Sequence, residues 1–394
     1  MSIILTDEQE RGLKIAIERY KNHERYTVIS GFAGSGKSTL IKFLISALGV
    51  DEEAVCYACF TGKACNVLQQ KGNKNVSTLH RLLYEHFPRP DGTFFRRPKS
   101  DLEPYEIIVV DECSMCPKDI AQLLLKHQVH VIFLGDPGQL PSINPEDDNH
   151  LLDKPHVFLQ TIHRQAQESE IIRVSMDIRA GRPLSLLDGK DVKIINRSDL
   201  VDGMYLWADQ ILCAKNETRI NINNEMRALL GREGDPQDGD KVICLKNEWG
   251  ILDTNKDPLV NGTIGYLKDN FSRTMRYPFF INGGGTFETI QTSLITETGS
   301  EFKELLMDKK LILEGTPGLD WKTKWALGKN EKYSWMLPCE FTYGYAVTVH
   351  KFQGSSAGNI LVLEENFPFS KEEHQRWLYT ACTRAENKLV IVKK

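Results

Sequence analysis

The run Gly31-Phe-Ala-Gly-Ser-Gly-Lys-Ser-Thr39 fits G-x-x-x-x-G-K-[ST], with Gly31, Gly36, Lys37 and Ser38 in the fixed places. Tyr26-Thr-Val-Ile-Ser30 before it reads as a buried strand, and Thr39-Leu-Ile-Lys-Phe-Leu-Ile-Ser-Ala-Leu48 after it as a helix. A strand, a glycine loop and a helix in that order demand an α/β layer. Gly31, Gly34 and Gly36 let the backbone wrap closely around phosphate oxygens. The N–H groups from Ser35 to Thr39, at the helix start, face the negative charge. Lys37 is expected on the outer phosphates and the Ser38 hydroxyl on Mg²⁺. ATP and Mg²⁺ are the expected occupants.

The rest of the chain repeats the α/β pattern. Residues 7–21 read as a helix, 53–60 as a strand, and 77–86 as a short helix. Ile107-Ile-Val-Val110 and Val129-His-Val-Ile-Phe-Leu134 read as buried strands with a helix at 117–127 between them. A second α/β unit starts near 158, with helices at 168–181 and 216–230 around the strand Gln210-Ile-Leu-Cys-Ala214. From Asp238 the pattern changes to short strands with turns at Asn261-Gly262 and Gly283-Gly-Gly285, a β insertion running to about 337. The α/β pattern resumes with Asn359-Ile-Leu-Val-Leu363, a helix from Lys371 and a last strand Lys388-Leu-Val-Ile-Val392, after which no further domain is expected.

Val109-Val-Asp-Glu-Cys-Ser-Met115 puts two carboxylates at the end of a buried strand, where ligands of parallel sheets bind. Asp111 suits the Mg²⁺ shell and Glu112 the attacking water. Phe133-Leu-Gly-Asp-Pro-Gly-Gln-Leu-Pro141 repeats the strand-to-loop arrangement, with Gln139 able to sense a terminal phosphate and Asp136 to anchor the loop.

Asp-Glu-x-Ser-Met followed by Gly-Asp-x-x-Gln-Leu resembles motifs II and III of superfamily 1 helicases of the RecD-like and phage Dda-like branch. Leu5-Thr-Asp-Glu-Gln9 looks like that family's adenine-reading segment, with Gln9 on the base. Phe60-Thr-Gly-Lys-Ala64 and Ser77-Thr-Leu-His-Arg-Leu82 look like motifs Ia and Ib, which contact single-stranded DNA. Leu159-Gln-Thr-Ile-His-Arg164 is similar to motif IV, Tyr345–Ser355 to motif V, and Leu378-Tyr-Thr-Ala-Cys-Thr-Arg384 to motif VI. The resemblance implies two RecA-like parallel-sheet P-loop domains, a β-hairpin insertion in the first and a small SH3-like β insertion in the second. The domains would be 1–157 with a pin at 84–104, then 158–238 plus 338–394, with the insertion at 239–337. It also implies a polymer track through Thr61, Lys63 and His80 in the first domain and Thr348, His350 and Lys351 in the second. Arg164 and Arg384 would stabilise charge on the transferring phosphoryl group, which puts ATP between the domains.

Within 84–99, Asp91-Gly92 is a hairpin turn signal flanked by Phe87, Phe94, Phe95 and several cations. Rings that stack on bases suit a wedge at a fork, and Phe94 and Phe95 are its candidates; an exposed loop covering the core is the alternative. For 268–335 the residues leave open whether Trp249, Trp321, Trp325 and Trp335 are core or contact surface.

A net charge of −4 does not mark a nucleic-acid binder, so any such surface must be a local basic stripe. Nine cysteines include the pairs Cys56/Cys59 and Cys113/Cys116, too far apart for a zinc ribbon and read as core thiols. Cys113, next to the carboxylates, is a candidate oxidant-sensitive thiol. With no membrane span and no targeting segment, the expected compartment is the cytoplasm, of a bacterial or phage-infected cell.

The expected function is an ATP-dependent helicase moving 5′→3′ on single-stranded DNA, the polarity being what the resemblance implies. Forked duplex and a single-strand-binding or repair protein are the expected partners. A non-unwinding, ATP-gated subunit of a recombination complex is the alternative. A kinase would leave everything after Arg164 unexplained.

Overall fold

The computed structural model describes residues 5–88, 94–141, 146, 148–162, 168–255, 257–297, 299–366 and 370–394, without the side chains of 63, 66, 86, 88, 94–96 and 249. The chain divides into two compact units, one of 1–84, 98–214 and 348–394, the other of 85–97 and 215–347.

In the first unit, β1 (Tyr26–Gly31), β2 (Val55–Cys59), β3 (Val76–Thr78), β6 (Ile107–Val110), β7 (His130–Gly135) and β8 (Val157–Leu159) form a wholly parallel sheet in the order β3-β2-β6-β7-β1-β8. β4 (Tyr84–Pro88) and β5 (Phe94–Pro98), whose residues 85–97 belong to the second unit, pair separately as a hairpin, and its expected turn at Asp91-Gly92 lies outside the described residues. Period-two alternation explains why the strands are apolar throughout. Ile107 and Val109 point to a core shared with Ile41 and Leu44 of the helix Lys37–Leu48, while Ile108 and Val110 point to one with Leu79, Leu82 and Ile120. Both faces are covered, so no polar side was needed.

Two readings of the sequence change here. The region 77–86 is a short strand, then the helix Leu79–Leu83, then β4, because Thr78 caps the helix through Oγ1 and Tyr84 is already extended. The first sheet also runs past 157, since Val157–Leu159 pairs with Ile29–Gly31 as its edge strand.

A second sheet in the same unit orders Gln210–Cys213, Ala357–Leu363, Ala385–Lys393 and Val192–Asn196 in parallel, with Leu187–Asp188 antiparallel beyond them. The helix Lys371–Cys382 buries Trp377 and Tyr379 completely. Two RecA-like α/β layers are therefore present.

The second unit carries a five-stranded antiparallel sheet of Glu301–Asp308, Gly285–Thr296, Ile264–Tyr277, Lys241–Cys244 and Phe341–Tyr343. Its strands are not all short. Ile264–Tyr277 and Gly285–Thr296 span 14 and 12 residues, and helices Lys309–Glu314 and Trp321–Gly328 follow. Most positions of Ile264–Tyr277 are exposed, so its sequence lacks the clean alternation that marks a strand packed on a core, whereas Gly285–Thr296 is mostly covered. Gly262, Gly283 and Gly284 take positive φ at the expected turns. Asp240 is fully buried, paired with Arg227 at 3.3 Å and Arg232 at 3.1 Å and accepting from the Tyr345 hydroxyl at 2.8 Å. That network ties the helix Asn216–Leu229 to the insertion.

Candidate active site

The glycine loop is held open from both sides. Gly34 and Gly36 sit at φ 79° and 81°, and Gly36 starts the helix Lys37–Leu48 with no side-chain cap, leaving its first N–H groups for an anion. A Cβ on Gly31 would lie 2.6 Å from Ser35 Oγ and 2.9 Å from the Leu159 carbonyl, so only glycine fits. Among the described residues Ser35 Oγ, which is buried, has no hydrogen-bond partner. Lys37 Nζ donates to the carbonyls of Gly31 at 2.6 Å and Phe32 at 3.2 Å. An orphan hydroxyl, an uncapped helix and a lysine folded back on the loop fit a phosphate ligand. Ser38 is exposed beside Thr39 at the mouth of the cradle.

Gln9 is 1 % exposed; its carbonyl accepts from Thr6 N at 3.1 Å and its amide donates to the Ser35 carbonyl at 3.2 Å. The residue buttresses the loop, with both ends of its amide turned to protein.

Burial raises the Asp111 pKa, the adjacent Glu112 adds to the shift, and Lys37 opposes it. Asp136 is likewise pushed up by burial and opposed first by Lys37. The Asp111 carboxylate and the Ser38 hydroxyl are oxygen donors of the kind that suits Mg²⁺. Glu112 takes a left-handed backbone, φ 51° and ψ 48°, a cost that non-glycine residues bear mostly at functional sites. Arg384, from the end of Lys371–Cys382, reaches it: Nη1 lies 3.5 Å from Glu112 Oε1. The guanidinium is buried and also donates to the Thr380 and Ser355 carbonyls at 3.2 and 3.4 Å.

A junction that sequence reasoning did not single out lies next to it. The Tyr379 hydroxyl accepts from Ala33 N at 3.0 Å and donates to Asp136 Oδ2 at 2.7 Å. Asp136 Oδ1 accepts from Gly138 N at 2.8 Å, Thr380 Oγ1 accepts from Leu140 N at 2.9 Å, and Gln353 Nε2 donates to the Leu140 carbonyl at 2.8 Å. Gln139 is buried inside this junction. The Arg179 guanidinium stacks on Phe32 of the loop, 3.2 Å from the ring centroid, and its Nη1 is buried without a partner. Tyr379 falls inside the 378–384 motif without a role read for it there, and Arg179 lies outside every motif, because the partners of both lie far away in the chain.

Of the track residues, Thr61 caps the helix Gly62–Gln70, accepting from Ala64 N at 3.3 Å. Gly354, at φ 69°, comes so close that a Cβ there would touch Ala64 and Thr61, which brings the C-terminal part of the 345–355 motif to the helix Gly62–Gln70. His80 sits between Phe60 and Tyr84, with ring centroids 5.4 and 6.2 Å away. Thr348 is buried, Lys351 exposed, and burial lowers the His350 pKa. Arg164 lies outside the described residues, as do the side chains of Lys63, Phe94 and Phe95. The oxidant-sensitive role expected of Cys113 is corrected: the thiol is fully buried, which raises its pKa well above the ordinary value and removes the reactive thiolate.

A family model described as an AAA domain matches residues 5–202, and one described as a UvrD-like helicase C-terminal domain matches 343–392. The ATP-dependent RecD2 DNA helicase of Deinococcus radiodurans is 26% identical over 398 residues, covering 92% of this chain and 46% of that protein. The ATP-dependent DNA helicase dda of Enterobacteria phage T4 is 26% identical over 193 residues, covering 45% of this chain and 43% of the relative. The chain thus spans less than half the length of these two relatives. A crystal structure of the Pif1 helicase from Bacteroides, in complex with ADP-AlF3 and ssDNA, superposes with a TM-score of 0.51 at 19% identity, over 100% of this chain and 93% of that one; the likeness is one of fold. With half its length matched by one family model, the chain belongs to the AAA domain family, and the relatives it resembles are helicases of the RecD-like and Dda-like kind.

Proposed function

We propose that this chain is an ATP-driven motor that moves along single-stranded DNA, in the 5′→3′ direction, and separates duplex. One observation carries the reading: Arg384 of the second sheet's helix reaches Glu112 of the first sheet, beside the phosphate loop. A hydrolytic site assembled from two sheets changes its contacts whenever they separate, and such a differential contact is what a two-state motor requires. The relatives' names, an ATP-dependent DNA helicase in both cases, support the same reading.

Lys37 leaves the Gly31 and Phe32 carbonyls to hold the outer phosphates. Ser38 and Asp111 are the residues that would hold Mg²⁺, which when bound neutralises charge on the phosphate oxygens. Glu112 orients the attacking water and takes its proton as the bond to the leaving oxygen breaks. Gln139 contacts the terminal phosphate from the junction. Arg384, with Arg164, stabilises the charge on the transferring group, a role worth roughly 10³–10⁵ in rate. For Gln9 to read adenine, its amide must give up Thr6 or Ser35. Thr61, Lys63, His80, Thr348, His350 and Lys351 form the strand track, with Phe94 and Phe95 as the wedge. The site of action is the cytoplasm of a bacterial or phage-infected cell, with a single-strand-binding protein as a natural partner; among the described residues no helix is long and apolar enough to cross a membrane.

ATP hydrolysis by purified protein, with and without single-stranded DNA, tests the motor. Strong stimulation is expected, with Lys37→Ala abolishing hydrolysis while nucleotide-free strand binding survives. No stimulation by DNA would end the proposal. A forked-duplex assay separates it from a recombination subunit that hydrolyses ATP without unwinding.

A further inference from the structure

The outer end of the long ribbon in the second unit folds over the helix Trp321–Gly328 and the turn Ser334–Met336. Ile281 at the ribbon tip joins Met275, Phe287, Leu319, Leu327 and Met336 in one buried cluster. Asn282 Nδ2 donates to Thr323 Oγ1 at 2.8 Å, and Phe280 meets Tyr333 edge-on with centroids 5.6 Å apart. Tip, helix and turn are therefore one packed body.

The outside of that body is unusual. Phe279 is 83% exposed and Trp321 72%, and Phe280, Trp325 and Trp335 are exposed with them. Trp321 and Trp325 stand one helical turn apart on one face, while Leu327 faces the core. Isolated exposed apolar residues need no explanation, but a cluster of large rings on one small body marks a contact surface. Cations accompany the rings. Lys329 Nζ lies 3.8 Å from the Trp325 ring centroid, Lys322 Nζ 5.9 Å from that of Trp321 and Lys332 Nζ 5.6 Å from that of Tyr333. Among the described residues, none of these three ammonium groups lies within ion-pair distance of a carboxylate. Residues 309–335 hold six lysines against three acidic residues, in a chain of net charge −4.

We infer that this face is a second binding surface for single-stranded polynucleotide, on which bases stack against Trp321 and Trp325 while Lys322, Lys329 and Lys332 meet the phosphates. Flat rings interleaved with cations match a polymer whose apolar faces alternate with negative charge. A purely apolar partner would leave the lysines without a counterpart, and an acidic peptide would leave the rings without one. The residues differ from those of the motor's track, so the surface is a separate site for strand, which a long oligonucleotide is expected to use in addition to the track. The inference rests on the motor reading for the kind of polymer involved.

The test compares short and long oligothymidylates, binding the full-length parent, a Trp321→Ala/Trp325→Ala variant and a Lys322→Glu/Lys329→Glu variant across a salt series. The alanine pair is expected to lose about tenfold or more in affinity for the long strand, with short-strand affinity unchanged. The glutamate pair is expected to flatten the salt dependence of long-strand binding. It alters only exposed ammonium groups, so it keeps the test decisive if the alanine pair fails to fold. Long-strand affinity within about twofold of the parent in a folded variant overturns the inference. So does a parent that self-associates through these rings and becomes monomeric in the variant with oligonucleotide affinity unchanged. Stimulation of the parent's ATPase by the short strand is read in the same samples; its absence would defeat the motor reading, independently of the long-strand comparison.

Discussion

The Tyr379 hydroxyl both donates and accepts beside the phosphate loop. It satisfies the Ala33 N–H and gives a buried Asp136 one of its two donors, joining loop, junction and helix through one oxygen. Burial, and then the Asp136 charge, raise its pKa far above the ordinary phenol value, so it stays protonated and able to donate at any working pH. Tyr379→Phe keeps the ring packing and deletes only the bridge. The Asp136 carboxylate is then left with Gly138 N, and an unpaired buried group of this kind costs about 1–3 kcal/mol. The expected outcome is a KM for ATP about tenfold higher with a smaller change in kcat, measured by steady-state hydrolysis with saturating DNA. A parent-like KM would show that the hydroxyl only packs. At Arg384 the guanidinium geometry matters as well as the charge, so Arg384→Lys is expected to lose most of the DNA-stimulated kcat while ATP binding persists; near-parental kcat would remove Arg384 from the mechanism.

Among the elements, the β4–β5 hairpin was legible from Asp91-Gly92 and its aromatic flanks, and its two strands do pair. Its proposed task remains separable from the motor. Breaking one duplex step costs about 1.4 kcal/mol on average, within reach of one ATP per step. Phe94→Ala with Phe95→Ala is expected to stop unwinding of a fork while DNA-stimulated hydrolysis continues; unwinding at the parental rate would exclude the wedge. The long ribbon and its helical cap were much less legible. Most positions of Ile264–Tyr277 are exposed and the cap packs mainly on the ribbon's tip, so the usual alternation is diluted. The four-residue helix Val349–Phe352 sits inside the 345–355 motif, where no helix was read from the sequence.

For the whole molecule, acid sensitivity follows from histidines built into the first sheet's lower edge. His156 Nδ1 accepts from Val28 N at 2.9 Å, and His130 bridges the Glu24 carbonyl and the Thr27 hydroxyl at 2.8 and 3.1 Å. Burial lowers the pKa of His127, His130 and His156 below the ordinary 6.5. The unfolded chain therefore takes up protons first as pH falls, and folding stability declines from about pH 6.5 downward through the folded values. A melting temperature that drops between about pH 7.5 and 5.5 is expected, with a shallower slope in His130→Gln/His156→Gln. A flat profile in the parent would contradict it. Asp111 and Asp136, raised by burial, act in the opposite sense as they protonate, so the slope difference between variant and parent is the decisive quantity.

What the sequence determined by itself was local chemistry: a glycine loop whose positive φ values admit phosphate, carboxylates at a strand's end, and apolar runs that must be buried on two faces. These depend on neighbours a few residues away, and period and residue type report them directly. Only the tertiary structure decided which distant groups meet. Arg384 against Glu112, Tyr379 between Ala33 and Asp136, and Gly354 against Thr61 each join segments hundreds of residues apart. It also decided that Trp321 and Trp325 face water, because exposure is set by what else packs on a helix, and no window of sequence contains that information.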